Sequence, residues 1–221
     1  MQKRWDAILG FMDMGGAAIW VIAGLAVITA GLIIWKVLRL GLSGTWRPGR
    51  AERAVQTWQS GDRAEARRMV EGRRGIYAVP VRAAMDGIAR DDMTPDTRRE
   101  EVSRVAAGEL FRQRKGLRAL ELVATIAPLI GLLGTVLGMV AAFQALEAAG
   151  SRADPSDLAG GIWEALLTTA AGMAVAIPAS AALTWFESIA DRAQGRIEDM
   201  VTRLLLSPEP GAAPRIAEAA E

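Results

Sequence analysis

The chain of 221 residues contains neither cysteine nor histidine. Without cysteine there is no disulfide framework, no thiolate nucleophile and no cysteine-based metal site. Without histidine a zinc site would rest on carboxylates alone, and the common Ser-His, Cys-His and His acid/base arrangements cannot be assembled. No nucleophile-base pair or phosphate loop stands out, so an enzyme is the remotest class and neither a cofactor nor a metal is expected. A basic excess is also lacking. Lys+Arg number 26 against 25 Asp+Glu, which leaves no global electrostatic footprint for nucleic acid.

What is present is segregation of apolar from charged residues. Residues 14–35 hold no ionisable side chain, and these 22 residues match the roughly 20 that a helix needs to cross the hydrocarbon core. A signal peptide would have a shorter apolar region, about 7–15 residues, and a small-residue cleavage site. Here Lys36, Arg39, Arg47 and Arg50 follow instead. Residues 121–147 form a second stretch with Pro128 near its start, and residues 158–186 a third, broken only by Glu164 and carrying Pro178. Proline is tolerated inside a membrane helix where neighbours satisfy the freed carbonyl, which favours a packed bundle. The expected fold is all-α, a polytopic membrane protein with three transmembrane helices and a helical cytoplasmic domain.

Charge sets the expected orientation. Residues 36–120 carry 19 Lys/Arg against 11 Asp/Glu, whereas residues 1–13 balance Lys3 and Arg4 with Asp6 and Asp13, and residues 148–157 hold one arginine. The membrane-proximal Lys36, Arg39, Arg112, Arg114, Lys115 and Arg118 agree with a cytoplasmic domain at 36–120. The N-terminus (1–13) and the 148–157 loop are then periplasmic and the C-terminus cytoplasmic. Residues 36–120 are rich in helix formers, with breaks at 44–49, 61, 72–75 and 89–94 that give three or four helices. Thr94-Pro95 reads as a cap for a helix running from Asp96 directly into the second span, and Asp154-Pro155 as a cap for the third. Arg73-Arg74 and Arg98-Arg99 read as solvated faces in preference to lipid-headgroup sites. Beyond the third span, Ile189, Ile197, Met200, Val201, Leu204 and Leu205 keep helical spacing, predicting an extension over 187–207 that Ser207-Pro208 ends. Residues 208–221 read as a disordered tail.

The second and third stretches are rich in small residues. Ala127, Gly131, Thr135, Gly138 and Ala142 recur at steps of three or four in one, and Ala165, Thr169, Gly172, Ala176 and Ala179 in the other. Such stripes let helices approach closely in lipid. Taken alone they favour packing over pore lining, while the first stretch can face lipid. Glu164 shifts the balance, because a carboxylate inside a span costs about 2.5 kcal/mol or more at the helix centre and marks function; at an interface the cost is less. Thr168, one turn on, shares its side.

These residues also carry a resemblance. Residues 124–139, with Pro128, Gly131, Gly134, Thr135 and Gly138, resemble the second-span signature of ExbB and TolQ in the MotA/TolQ/ExbB proton channel family. Residues 161–173, with Glu164, Thr168, Thr169 and Gly172, followed by Ala176-Ile177-Pro178-Ala179, resemble its third-span signature. Three spans fit ExbB/TolQ better than the four of MotA. The resemblance implies a homopentamer in the bacterial inner membrane whose second and third helices surround a pore. That pore would hold an ExbD/TolR-like single-span partner bearing a protonatable aspartate, coupled onward to a TonB/TolA-like protein. It implies a pore-lining set of Thr135, Thr169 and Glu164, to which Thr168 is added by its position one turn from Glu164; the stripes and prolines themselves give a packing set of Gly131, Gly134, Gly138, Gly172, Pro128 and Pro178. Thr168 and the bulky Trp163 depart from the family pattern at the outer mouth. The implied function is a proton-channel or stator subunit that uses the proton motive force to energise envelope transport, of the TonB-dependent or the Tol type. A non-conducting scaffold and a MotA-like stator using sodium are the competing readings.

Overall fold

A computed structural model describes residues 16–42, 48–150 and 154–207. The expectations for the N-terminal segment 1–13, the first residues of the 14–35 span and the 208–221 tail fall outside the described residues. Among the described residues every regular element is a helix: α1 Gly16–Leu42, α2 Gly49–Gln59, α3 Arg63–Val70, α4 Ala78–Ile88, α5 Pro95–Arg114, α6 Leu117–Ala149 and α7 Pro155–Leu205. Three helical segments, Gly16–Leu42, Pro95–Ala149 and Leu158–Leu205, are long and apolar enough to cross a membrane.

The residues group into two compact units, one from 1–36 and 116–186 and the other from 37–115 and 187–221. The second has a conventional core. Val55, Trp58, Val70, Val81, Met85 and Val102 meet Ile197, Met200 and Leu204 of the last part of α7, all at most 3% exposed. The helical spacing read beyond the third apolar stretch is therefore the periodicity of a buried face. Its helices begin at local signals. The Asp62 carboxylate accepts the Glu65 N–H at 3.0 Å, and the Thr94 hydroxyl accepts the Thr97 N–H at 3.2 Å with Pro95 at the first helical position. Arg203 ties α7 to α2 through Glu52 at 2.5 Å and Gln59 at 3.1 Å, and the hydrogen bond to Glu52 raises its pKa from the ordinary guanidinium value.

The four helices from Gly49 to Arg114 match the expected number, but α5 does not run into the second apolar stretch. The chain breaks at Lys115–Gly116, where Gly116 adopts φ +86°. Only glycine takes that conformation without steric cost, and a Cβ there would also lie 2.8 Å from the Trp35 ring. At the other end, α6 stops at Gly150, φ +54°, and α7 opens as expected, with Asp154 Oδ1 accepting the Ser156 N–H at 2.8 Å. That hydrogen bond lowers the Asp154 pKa below the usual carboxylate value.

Within the apolar unit α6 and the first part of α7 lie antiparallel. Gly131 meets Thr168, Thr169 and Gly172, Gly138 meets Ala165, and Gly161 meets Ala142, so the order of contacts reverses along the two helices. The approach is set by backbone. A methyl on Gly172 would sit 2.5 Å from the Ala127 carbonyl oxygen and 3.2 Å from Gly131 Cα. Helix α1 also buries one face, with Ile19, Ile22 and Thr29 at most 4% exposed, while Trp20, Val27, Ile28 and Ile34 remain outside. It is not wholly lipid-facing, because Ala18 closes on Gly134 and Leu25 packs against Val123, Ala127, Ala176 and Ala179.

Candidate functional site

Contacts between α6 and α7 divide the small-residue stripes into a sealed face and a flank. Gly131, Gly134 and Gly138 of α6 and Ala165, Thr168 and Gly172 of α7 define the sealed face. Thr168 is 2% exposed, and its hydroxyl donates to the Gly131 carbonyl at 3.0 Å and the Ala165 carbonyl at 2.8 Å. The single hydroxyl proton is shared between the Gly131 carbonyl across the pair and the Ala165 carbonyl one turn back on its own helix. Grouped by sequence with Glu164 as a pathway candidate, Thr168 is placed by the structure inside the helix pair, beside Gly134. Glu164 is half-buried, whereas the adjacent Trp163 is 65% exposed.

Thr135 and Thr169 have a different position. At 100° per residue each lies about 60° from the centre of its helix's sealed face, in the same rotational sense. Because the two helices are antiparallel, equal offsets of the same sense bring both threonines to one flank of the pair. Gly134 and Thr168 are offset the opposite way, toward α1, which closes on Gly134 through Ala18. The threonine flank is thus the one α1 leaves open. Both residues are half-buried. The Thr135 hydroxyl donates to the Leu132 carbonyl at 2.6 Å, whereas Thr169 Oγ1 is buried with no hydrogen-bond partner among the described residues. Hydroxyls in an apolar setting are normally satisfied, so an unsatisfied one calls for explanation.

The same flank carries a cleft of about 520 Å³ nearer the start of α6, lined by Glu121, Thr125, Pro128, Ile177 and Ser180 among others. Sequence reading used Glu121 only as a boundary and passed over Ser180. The signal was present, since Glu121 and Thr125 are one turn apart, but it takes the antiparallel pairing to bring Ser180 opposite them. Pro128 lines this cleft and Pro178 is exposed, so neither belongs to the glycine contact. Thr125 donates to the Glu121 carbonyl at 2.9 Å. Together Thr135, Thr169, Thr125, Ser180 and Glu121 give one flank of a helix pair a polar line amid exposed apolar residues such as Leu132, Leu166 and Ile177. Hydroxyls in such a line can donate to or accept from a carboxyl group without titrating themselves.

An antiparallel pair of apolar helices, fused by glycines and bearing hydroxyls on one open flank, belongs to a multi-pass membrane protein. The chain belongs to the MotA/TolQ/ExbB proton channel family, whose model matches residues 73–199. It is 46% identical over 86 residues to an ExbB-like biopolymer transport protein of Synechocystis sp., covering 38% of this chain and 34% of that protein. To biopolymer transport protein exbB1 of Vibrio cholerae it is 43% identical over 83 residues, 38% of this chain and 36% of the relative. The Tol-Pal system protein TolQ of Pseudomonas aeruginosa is 36% identical over 106 residues, 46% of each chain. The matches span between a third and a half of these relatives' length.

Proposed function

We propose that the chain is the proton-channel subunit of an inner-membrane motor that energises envelope transport with an ExbD/TolR-like partner. The observation that carries this reading is the open flank holding Thr135 and the unsatisfied Thr169 hydroxyl. A buried hydroxyl without a partner destabilises the isolated chain by roughly 1–3 kcal/mol. Turned from its buried rotamer toward the flank, this hydroxyl would be satisfied by a protonatable carboxyl from a guest helix in either charge state. Several copies, five by resemblance, would enclose the guest with these flanks turned inward, their N-termini periplasmic and C-termini cytoplasmic.

In this mechanism a proton reaches the guest carboxylate, neutralises it and changes which threonine pair it prefers. Release to the other side recharges it. Each proton falls through about 2.3 kcal/mol per 100 mV of membrane potential, and the alternation turns or pulls the guest against the fixed helices. Glu164, half-buried on α7, would attract cations to the outer mouth, and the cleft of Glu121, Thr125 and Ser180 would lead protons away. Thr135→Ala and Thr169→Ala should each lower proton flux at least tenfold in vesicles containing chain and partner, with assembly unchanged and serine restoring most of the flux. Full flux in both alanine variants would remove the hydroxyls from the mechanism.

A further inference from the structure

The second unit pairs many of its arginines. Arg67 meets Asp86, Arg68 meets Glu65 at 2.9 Å, Arg104 meets Glu101 at 2.7 Å, Arg114 meets Asp191 at 3.0 Å and Arg203 meets Glu52. Around one open cleft of about 760 Å³ the pattern fails. Arg50, Arg53, Arg73 and Arg74 line it together with the Gly72 and Gly75 backbone, and no carboxylate does. Among the described residues Arg50, Arg73 and Arg74 form no ion pair, and Arg53 donates only to the Gly49 carbonyl, at 3.1 Å. Of the acids in the neighbouring sequence, Glu52 pairs with Arg203 and Glu65 with Arg68, and Glu71 does not line the cleft.

Backbone adds to the same field. The first residues of α2 and of α4 both line the cleft, and both helices, eleven residues each, start at residues that give no side-chain cap, Pro48 and Tyr77. At α2 the first N–H groups and the positive helix end favour an anion, whereas at α4 the Val79 N–H already donates to the Gly75 carbonyl at 3.2 Å and Pro80 has no N–H, so that end adds only its dipole. Four guanidiniums set without acids repel one another, and an oxyanion that accepts paired N–H bonds from several of them relieves that repulsion. A solvated face, the reading the sequence alone favours for Arg73-Arg74, would leave these charges spread over a surface, not gathered around one concavity.

We propose that this cleft is a binding site for a phosphate-bearing anion, held by Arg50 and Arg53 of α2 and by Arg73 and Arg74 of the segment between α3 and α4. The phosphate can come from a soluble metabolite or from an anionic lipid headgroup. Both present the same oxyanion chemistry to the guanidiniums.

Hydrogen exchange on the full chain tests it. The chain in neutral detergent is titrated with inorganic pyrophosphate, and in parallel placed in phosphatidylglycerol or phosphatidylcholine nanodiscs. Slowed exchange over residues 48–53 and 72–78 with pyrophosphate identifies a soluble ligand; slowing only in phosphatidylglycerol identifies the lipid; both together establish a site that takes either. Arg73→Gln with Arg74→Gln, and separately Arg50→Gln with Arg53→Gln, should weaken the response at least tenfold. Arg104→Gln, outside the cleft, should leave it unchanged. No slowing with either source, an equal effect from chloride at matched ionic strength, or an equal loss in Arg104→Gln overturns the proposal.

Discussion

The two units of this chain hold together by opposite means. In the unit built from residues 37–115 and 187–221, large side chains fill a core, and ion pairs such as Arg114–Asp191 and Arg203–Glu52 tie its helices at the rim. In the apolar unit the contact is made where side chains are missing, with Gly131 and Gly172 bringing two backbones together. Water drives the first kind of packing. In lipid, apolar side chains gain little by leaving their surroundings, so close backbone approach and interhelical hydrogen bonds supply the attraction. The consequence for function is that the large side chains of the apolar unit stay outside, at Leu129, Leu132, Leu133, Val136 and Leu137, ready to meet lipid or other chains.

Substitutions can break that contrast in graded steps. The largest effect belongs to the filled core: Leu204→Ala, at a fully buried position, should cost about 2–5 kcal/mol, read as lost hydrogen-exchange protection in α2 and α3. Next comes Gly172→Ala, which forces a methyl into the Ala127 carbonyl and should cost about 1–3 kcal/mol, seen as a lower thermal midpoint in detergent. If adding one methyl there is harmless, the glycine contact is not what fuses α6 and α7. Thr168→Val keeps the shape but removes the bond to the Gly131 carbonyl, and about 0.6 kcal/mol is expected from interhelical bonds of this kind. Gly108→Ala is the counter-case. Nothing lies within 4 Å of a Cβ at this site in α5, so the change should stabilise by roughly 0.5–1 kcal/mol.

Much of this was legible in the residues, for identifiable reasons. Uncharged runs of membrane-spanning length and stripes of small residues are one-dimensional signals, and so were the caps at Thr94-Pro95 and Asp154-Pro155. Which member of a stripe touches its neighbour was not legible. Gly134 and Thr135 are adjacent, and only the placement of α1 shows that one is sealed and the other open. Thr168 looked like a second polar candidate, because sequence cannot distinguish a hydroxyl facing a lumen from one spent on a neighbour's carbonyl. The break at Gly116 hid in a charged helical run, where a lone glycine is usually tolerated; its positive φ and the Trp35 ring come from residues far apart in the chain. The arginine cleft was unreadable for a similar reason, since pairing depends on which acids the fold delivers.

The central claim is that Thr135 and Thr169 share a flank facing a space that water and a partner can reach, not lipid. A chain without cysteine permits a direct measurement: single-cysteine variants at Thr135, Thr169 and Leu133 are exposed, in membranes, to a water-soluble thiol reagent, with and without the ExbD/TolR-like partner. The account predicts labelling at 135 and 169 that the partner suppresses, and none at 133. Labelling of 135 and 169 by a lipid-soluble reagent alone, indifferent to the partner, would contradict it.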